Sequence, residues 1–232
     1  MITVRPAQER GHADYGWLDT RYSFSFADYH DPQHMGFSVL RVINEDRIAP
    51  GGSFAPHPHR DMEIVTYVLS GSLAHQDSMG NGSIIRPGEI QKMSAGTGVV
   101  HSETNPSSTE PLHLLQIWIL PATRGIAPGY AQQPVPPADP VTGLALVASP
   151  AGGGGAVPLH QDASLYVARL AAGGRAQLAL AAGRNAWVQV ARGSVSVNGT
   201  ALAAGDGARL MSESRIELHA PAGTETLVFD LP

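Results

Sequence analysis

Gly51-Gly-Ser-Phe-Ala-Pro-His57-Pro-His59-Arg-Asp-Met-Glu63-Ile-Val-Thr-Tyr-Val-Leu69-Ser-Gly71 reads as two strands and the turn between them. Glu63 to Leu69 is rich in β-branched and aromatic residues and stops at Ser70-Gly71, which is how a strand running into a turn is written. His57 and His59 stand two residues apart, so on a strand both imidazoles point to one face. His101-Ser-Glu103, 42 residues beyond His59, repeats that spacing. Two strands of one small barrel can therefore aim three imidazoles and a carboxylate at one point. Three nitrogens and one oxygen suit a divalent transition metal, and on an octahedral ion they leave positions for other ligands.

The surrounding sequence extends the same pattern. Phe37 to Ile43 is a candidate strand, followed by the polar Asn44-Glu45-Asp46 and then Pro50-Gly51-Gly52. Met79-Gly80-Asn81-Gly82 is a hairpin signal between two short runs. Arg86-Pro87-Gly88-Glu89 has the chemistry of a type II turn. His113 to Leu120 is a long apolar strand ended by Pro121. With 26 Gly, 18 Pro and only 15% charged residues, the chain is built for short strands and tight turns, and an all-β sandwich or barrel is expected.

Composition narrows the partners. The formal charge is -5 and there is no Lys/Arg run, which argues against a nucleic-acid surface. No cysteine is present, so neither a disulfide nor a thiolate ligand is available; this fits a reducing compartment. Met1 to Arg10 lacks a basic segment followed by an apolar one, and no apolar stretch approaches the ~20 residues of a membrane helix. The expectation is a soluble cytoplasmic protein without a membrane partner.

Prolines at 121, 128, 134, 136, 137 and 140 mark a semi-rigid connection over about residues 121–143. It divides the chain into an N-terminal domain, 1–130, and a C-terminal domain, 131–232. Ala151 to Ala156, with four consecutive glycines, is expected to be a flexible loop, and no Lys-Ser/Thr follows to make it a phosphate loop. The second half repeats the first in degraded form. Trp187 to Val195 follows the rhythm of Val65 to Leu73, and Ala203-Ala-Gly205-Asp206 that of Arg86-Pro87-Gly88-Glu89. Aligning the glycines puts Ala179, Ala181, Leu218 and Ala220 where His57, His59, His101 and Glu103 stand. Two similar β-barrels are expected, only the first able to hold metal, and one chain carrying both suggests a monomer.

Gly51-x5-His57-x-His59-x3-Glu63 is similar to the first motif of the cupin superfamily, and Gly96-x-Gly98-x2-His101-x3-Asn105 resembles the end of the second. Tyr22 to Pro32, His57 to Leu69, Met93 to Glu103 and His113 to Ile119 more narrowly resemble the pirin family. The likeness is dense over residues 10–130. It implies two jelly-roll β-barrels in one chain, a bicupin, with one metal, usually Fe(II), in the first. It also implies that His57, His59, His101 and Glu103 are the ligands and that Glu63 is not, although the general cupin pattern uses that position. Spacing alone does not choose among iron, manganese, cobalt, nickel, copper and zinc.

Some bacterial pirins cleave flavonols such as quercetin with dioxygen, and the animal relative is a nuclear transcriptional cofactor. The resemblance therefore implies a quercetin 2,3-dioxygenase. In that reading Glu103 doubles as the base for the flavonol 3-hydroxyl, and ring opening releases carbon monoxide and a depside. The alternative is an iron-dependent redox sensor read by a transcription factor or a metabolic enzyme. A structural zinc is the weakest choice, since such sites are mostly cysteine-rich. Glu63, on the same strand parity as His59, is either an acceptor for a ligand imidazole or a strand-end salt bridge. His75 is expected to be a hydrogen-bonded core residue, His30 and His34 surface residues, and Trp118, Phe54 and Met93 barrel filling.

Overall fold

The structure, a computed structural model, describes residues 1–232. Apart from one 3-10 turn at Ala7–Glu9, its regular elements are all strands, and no helix is long and apolar enough to cross a membrane. The chain forms two compact units: Gly11–Pro134 with Val157–Gln161, and Met1–Arg10 with Val135–Ala156 and Asp162–Pro232.

The first unit pairs two antiparallel sheets. The larger runs in the order Gly129–Pro134, Glu89–Ser94, Glu63–Ser70, Leu112–Ile119, Leu40–Ile48, Leu18–Tyr22 and Gly11–Asp14. The smaller runs Ser53–His59, Val99–Thr104, Leu73–Asp77 and Gly82–Ile85. Leu18, Ile48, Val68, Leu73, Ile85, Leu112 and Leu114 close one part of its core. Each such side chain contributes about 1.5–3 kcal/mol by leaving water. The second unit repeats the plan. Its larger sheet includes Ile2–Arg5, Gly207–Met211, Asn185–Arg192, Thr224–Leu231, Ser164–Leu170 and Ala145–Ser149. Its smaller one runs Arg175–Ala179, Arg215–His219, Ser194–Val197 and Thr200–Ala203. Both units are cupin-type jelly-roll barrels.

The turns expected from the sequence are present. The Met79–Gly82 hairpin is closed by Asp77, whose Oδ1 accepts from the Met79 and Asn81 amides at 2.8 and 3.0 Å. The repeat holds at its glycines: Gly71 and Gly193 turn at φ 77° and 72°, and Gly88 and Gly205 at 91° and 88°.

Four expectations need correction. The strand expected at Phe37–Ile43 runs instead from Leu40 to Ile48. Asn44, Glu45 and Asp46 lie buried within it because neighbouring strands on both sides complete their backbone hydrogen bonds. The proline-rich connection is not all linker, since Gly129–Pro134 pairs with Glu89–Ser94 as an edge strand, where proline is tolerated. The domain split at residue 130 also differs from the observed units. Ile2–Arg5 pairs with Gly207–Met211 in the second unit, and Val157–Gln161 belongs to the first.

The fourth correction concerns the lost metal positions. Val197 pairs with Leu218 as His75 pairs with Glu103, and Leu178 pairs with Ile216 as His57 pairs with His101. The second barrel therefore carries Leu178, Ile216 and Leu218 at the places of His57, His101 and Glu103, with Leu180 in line for His59. The glycine alignment places the first pair one residue late, on the other sheet face at Ala179 and Ala181, and the second pair two residues late, at Leu218 and Ala220. Leu180, Ile216 and Leu218 belong to that barrel's apolar core and Leu178 packs against it, so it offers no ligand.

Candidate metal centre

His57 and His59 share the strand Ser53–His59, and His101 and Glu103 share Val99–Thr104. These strands are antiparallel neighbours in which His57 faces His101 directly. The register shifts between His101 and Glu103, where Ser53–His59 carries one extra residue between Phe54 and His57, a bulge on the strand of His57 and His59. The three imidazoles converge, with ring centroids 4.4 to 4.8 Å apart and their ligand nitrogens all within 4.8 Å of one another.

Outer partners fix two of the rings. His57 Nδ1 donates to the Ala55 carbonyl at 2.8 Å, which leaves its Nε2 as a bare acceptor. His101 Nδ1 lies 3.1 Å from His75 Nε2, while His101 Nε2 is buried without any hydrogen-bond partner. An orphaned buried nitrogen beside two more imidazoles is a costly arrangement unless something binds there. Three imidazole nitrogens gathered this closely fit a divalent transition metal. Burial also keeps His59 and His101 neutral, as ligands must be. It lowers the pKa of His59 to about 4 with help from His57, and that of His101 to about 3 with help from His57, His59 and His75.

Glu103 is buried, and Gln116 Nε2 lies 3.0 Å from each of its carboxylate oxygens. Gln116 Oε1 in turn accepts from Thr66 Oγ1 at 3.0 Å. Burial raises the Glu103 carboxyl to about 7; the Gln116 hydrogen bonds oppose that rise and the Asp46 charge adds to it.

Glu63 is engaged elsewhere. Its Oε2 lies 3.2 Å from Lys92 Nζ and accepts from the His160 backbone amide at 3.2 Å, so the salt-bridge reading of this residue is the one the structure supports. Lys92 also donates to Ser94 Oγ at 2.5 Å. His75 is buried, as expected, and hydrogen-bonds His101. His34 pairs with Asp31 at 2.8 Å and His30 is exposed. Arg60 lies 3.6 Å from Asp61, whose Oδ1 accepts from the Gly125 amide at 2.6 Å. Met93 is core, but Trp118 and Phe54 lie beside the imidazoles: Trp118 meets His59 edge-on at 4.9 Å, and Phe54 is 6.3 Å from His57. Gln116, Thr66 and Lys92 carry no sequence signal of their own, because only strand register brings them to these partners.

A family model described as Pirin matches residues 3–119, and one described as Quercetinase C-terminal cupin domain matches residues 146–231. A protein of Escherichia coli strain K12 named quercetin 2,3-dioxygenase is 51% identical over 232 residues, covering 100% of this chain and 99% of that protein. A Pasteurella multocida protein named as a possible quercetin 2,3-dioxygenase is 47% identical over 235 residues, covering 100% of each. The crystal structure of the bacterial pirin YhhW from Escherichia coli in complex with nickel(II) superposes with a TM-score of 0.94 at 50% identity, covering 100% of this chain and 99% of that one. From its first strands to its last, the chain belongs to the pirin family.

Proposed function

We propose that His57, His59, His101 and Glu103 hold one divalent metal, Fe(II) before manganese, cobalt, nickel, copper or zinc, and that the protein is a flavonol 2,3-dioxygenase of quercetinase type. The observation that carries this reading is the buried, unpartnered Nε2 of His101, clustered with two further imidazoles; Glu103, buried on the same strand as His101, joins the set on the family resemblance and not on the cluster. The likeness to the Escherichia coli protein named quercetin 2,3-dioxygenase supports the substrate class.

A metal bound there supplies Lewis acidity toward the flavonol 3-hydroxyl and an electron path to dioxygen. Glu103 takes the proton of that hydroxyl, which leaves the substrate as an electron-rich enolate. The rings of Trp118 and Phe54 beside the imidazoles offer apolar faces to a planar aromatic substrate and keep water from the reacting carbons. The overall change is flavonol plus dioxygen to a depside plus carbon monoxide, with both oxygen atoms of dioxygen retained between the two products. The same reading takes the protein as a cytoplasmic monomer acting on a small molecule, without nucleic acid or membrane.

The test is anaerobic loading with ferrous iron, addition of quercetin and then air. Loss of flavonol absorbance together with carbon monoxide release is the expected result. Bound iron with neither change overturns the assignment for this substrate and favours a redox-reporting role.

A further inference from the structure

Glu103 does not stand alone in its pocket; a buried polar chain two residues deep lies behind it. We propose that Gln116, itself oriented by Thr66, is the positioning residue that sets the Glu103 carboxylate for metal binding. The proposal rests on the reading of Glu103 as a ligand and adds the two residues that make it one.

The three side chains are all buried, with Thr66 0%, Glu103 4% and Gln116 9% exposed. Thr66 and Gln116 are direct cross-strand partners on neighbouring strands of the larger sheet, while Glu103 comes from the smaller one. The relay therefore joins the two sheets of one barrel through its interior. Its polarity is fixed at each joint. A carboxylate only accepts, so Gln116 must present its amide nitrogen to Glu103, and that nitrogen lies 3.0 Å from both oxygens. The amide oxygen then faces the other way and needs a donor, which Thr66 Oγ1 supplies at 3.0 Å. Reversing the amide would set two lone-pair-bearing oxygens against each other in a dry site. Thr66 thus selects the amide orientation, the amide fixes the rotation of the carboxylate, and each carboxylate oxygen keeps a lone pair for the ion.

A carboxylate without this clamp must be ordered by the metal itself, and losing the outer partner of a ligand lowers metal affinity by roughly 10- to 100-fold. The experiment is titration of metal-free protein with nickel(II), using single and double variants checked for the wild-type circular dichroism spectrum. Gln116→Leu is expected to weaken nickel(II) binding by about 10- to 100-fold. Thr66→Val should weaken it by a smaller factor, and Thr66→Ser, which keeps the donor, should restore wild-type affinity. Because Thr66 acts through Gln116, the double variant should bind no more weakly than Gln116→Leu alone. If Gln116→Leu does not fold, Thr66→Val and Thr66→Ser still decide the matter. Unchanged affinity in Glu103→Ala would remove Glu103 from the ligand set and the relay with it. Weakened binding in Glu103→Ala with wild-type binding in both Thr66→Val and Gln116→Leu would keep the ligand and overturn the relay. Strictly additive losses in the double variant would also overturn it.

Discussion

Lys92→Met tests whether Glu63 serves the metal or the fold. Lys92 and Glu63 side chains are 3% and 1% exposed and lie 3.2 Å apart. Removing the cation leaves the Glu63 carboxylate in a dry site with only the His160 amide and ring near it, at 3.2 and 3.4 Å. Stripping one partner from a buried pair costs about 3–5 kcal/mol, against a total stability on the order of 5–15 kcal/mol. Ser94 Oγ loses a donor as well, but it also lies 3.1 Å from His160 Nδ1, which limits that added loss. The double variant Glu63→Leu/Lys92→Met removes both charges together, and such replacements run from neutral to stabilising by about 1–4 kcal/mol. The His160 amide freed by it is at a residue whose side chain is 49% exposed, so water can replace the carboxylate. Urea unfolding at pH 7 reads the cost through Trp17 and Trp118, both of which lie in the first unit. Nickel(II) titration of the same proteins should show wild-type affinity. A Lys92→Met cost under about 1 kcal/mol would refute the buried-pair reasoning. A roughly 10-fold loss of nickel(II) affinity in the double variant would return Glu63 to the metal site.

Three further outcomes follow from the geometry. His75→Phe leaves His101 Nδ1 without its partner at 3.1 Å, and nickel(II) affinity should fall about 10- to 100-fold while the fold persists; wild-type affinity would mean that His75 only fills space. Asp46 is buried, and burial pushes its carboxyl up to about 7. The folded protein therefore keeps a proton that the unfolded chain releases near pH 4. This contribution to stability is complete below about pH 4 and is lost as pH rises through 7. Stability of Asp46→Asn measured from pH 4 to 8 should decline less steeply than wild type, and parallel curves would contradict the assignment. Gly193→Ala places a side chain at φ 72° against the Gly223 carbonyl, so the second unit should lose more than ~1 kcal/mol, seen in Trp187 fluorescence on unfolding; a wild-type midpoint would show that the turn tolerates a Cβ.

The clustering of His57, His59 and His101 was legible because a strand turns i, i+2 spacing into a shared face, and each lies within a few residues of Gly and Pro turns. Asn44, Glu45 and Asp46 were misread as the end of a strand because polarity normally marks the surface. Asn44 and Asp46 share the inward face of Gln116 and Leu114, whereas Glu45 lies on the opposite face, where His113 meets it at 2.9 Å. Gly129–Pro134 was hidden by Pro134 and the prolines flanking it, and an edge strand accepts the one it contains. The corresponding positions of the second barrel were placed one residue off on one strand and two on the other because spacing between glycines does not see register, whereas strand pairing does. Gln116 sits in an otherwise apolar run, His113 to Leu120, and its role depends on a strand distant in sequence. No local pattern announces it.

Carbon monoxide measured against quercetin consumed, in ferrous-loaded wild type and in His101→Ala, tests the central claim most directly. The account predicts one carbon monoxide per flavonol lost in the wild type and none above the protein-free background in the variant. Flavonol loss without carbon monoxide, or equal yields from the two proteins, would contradict it.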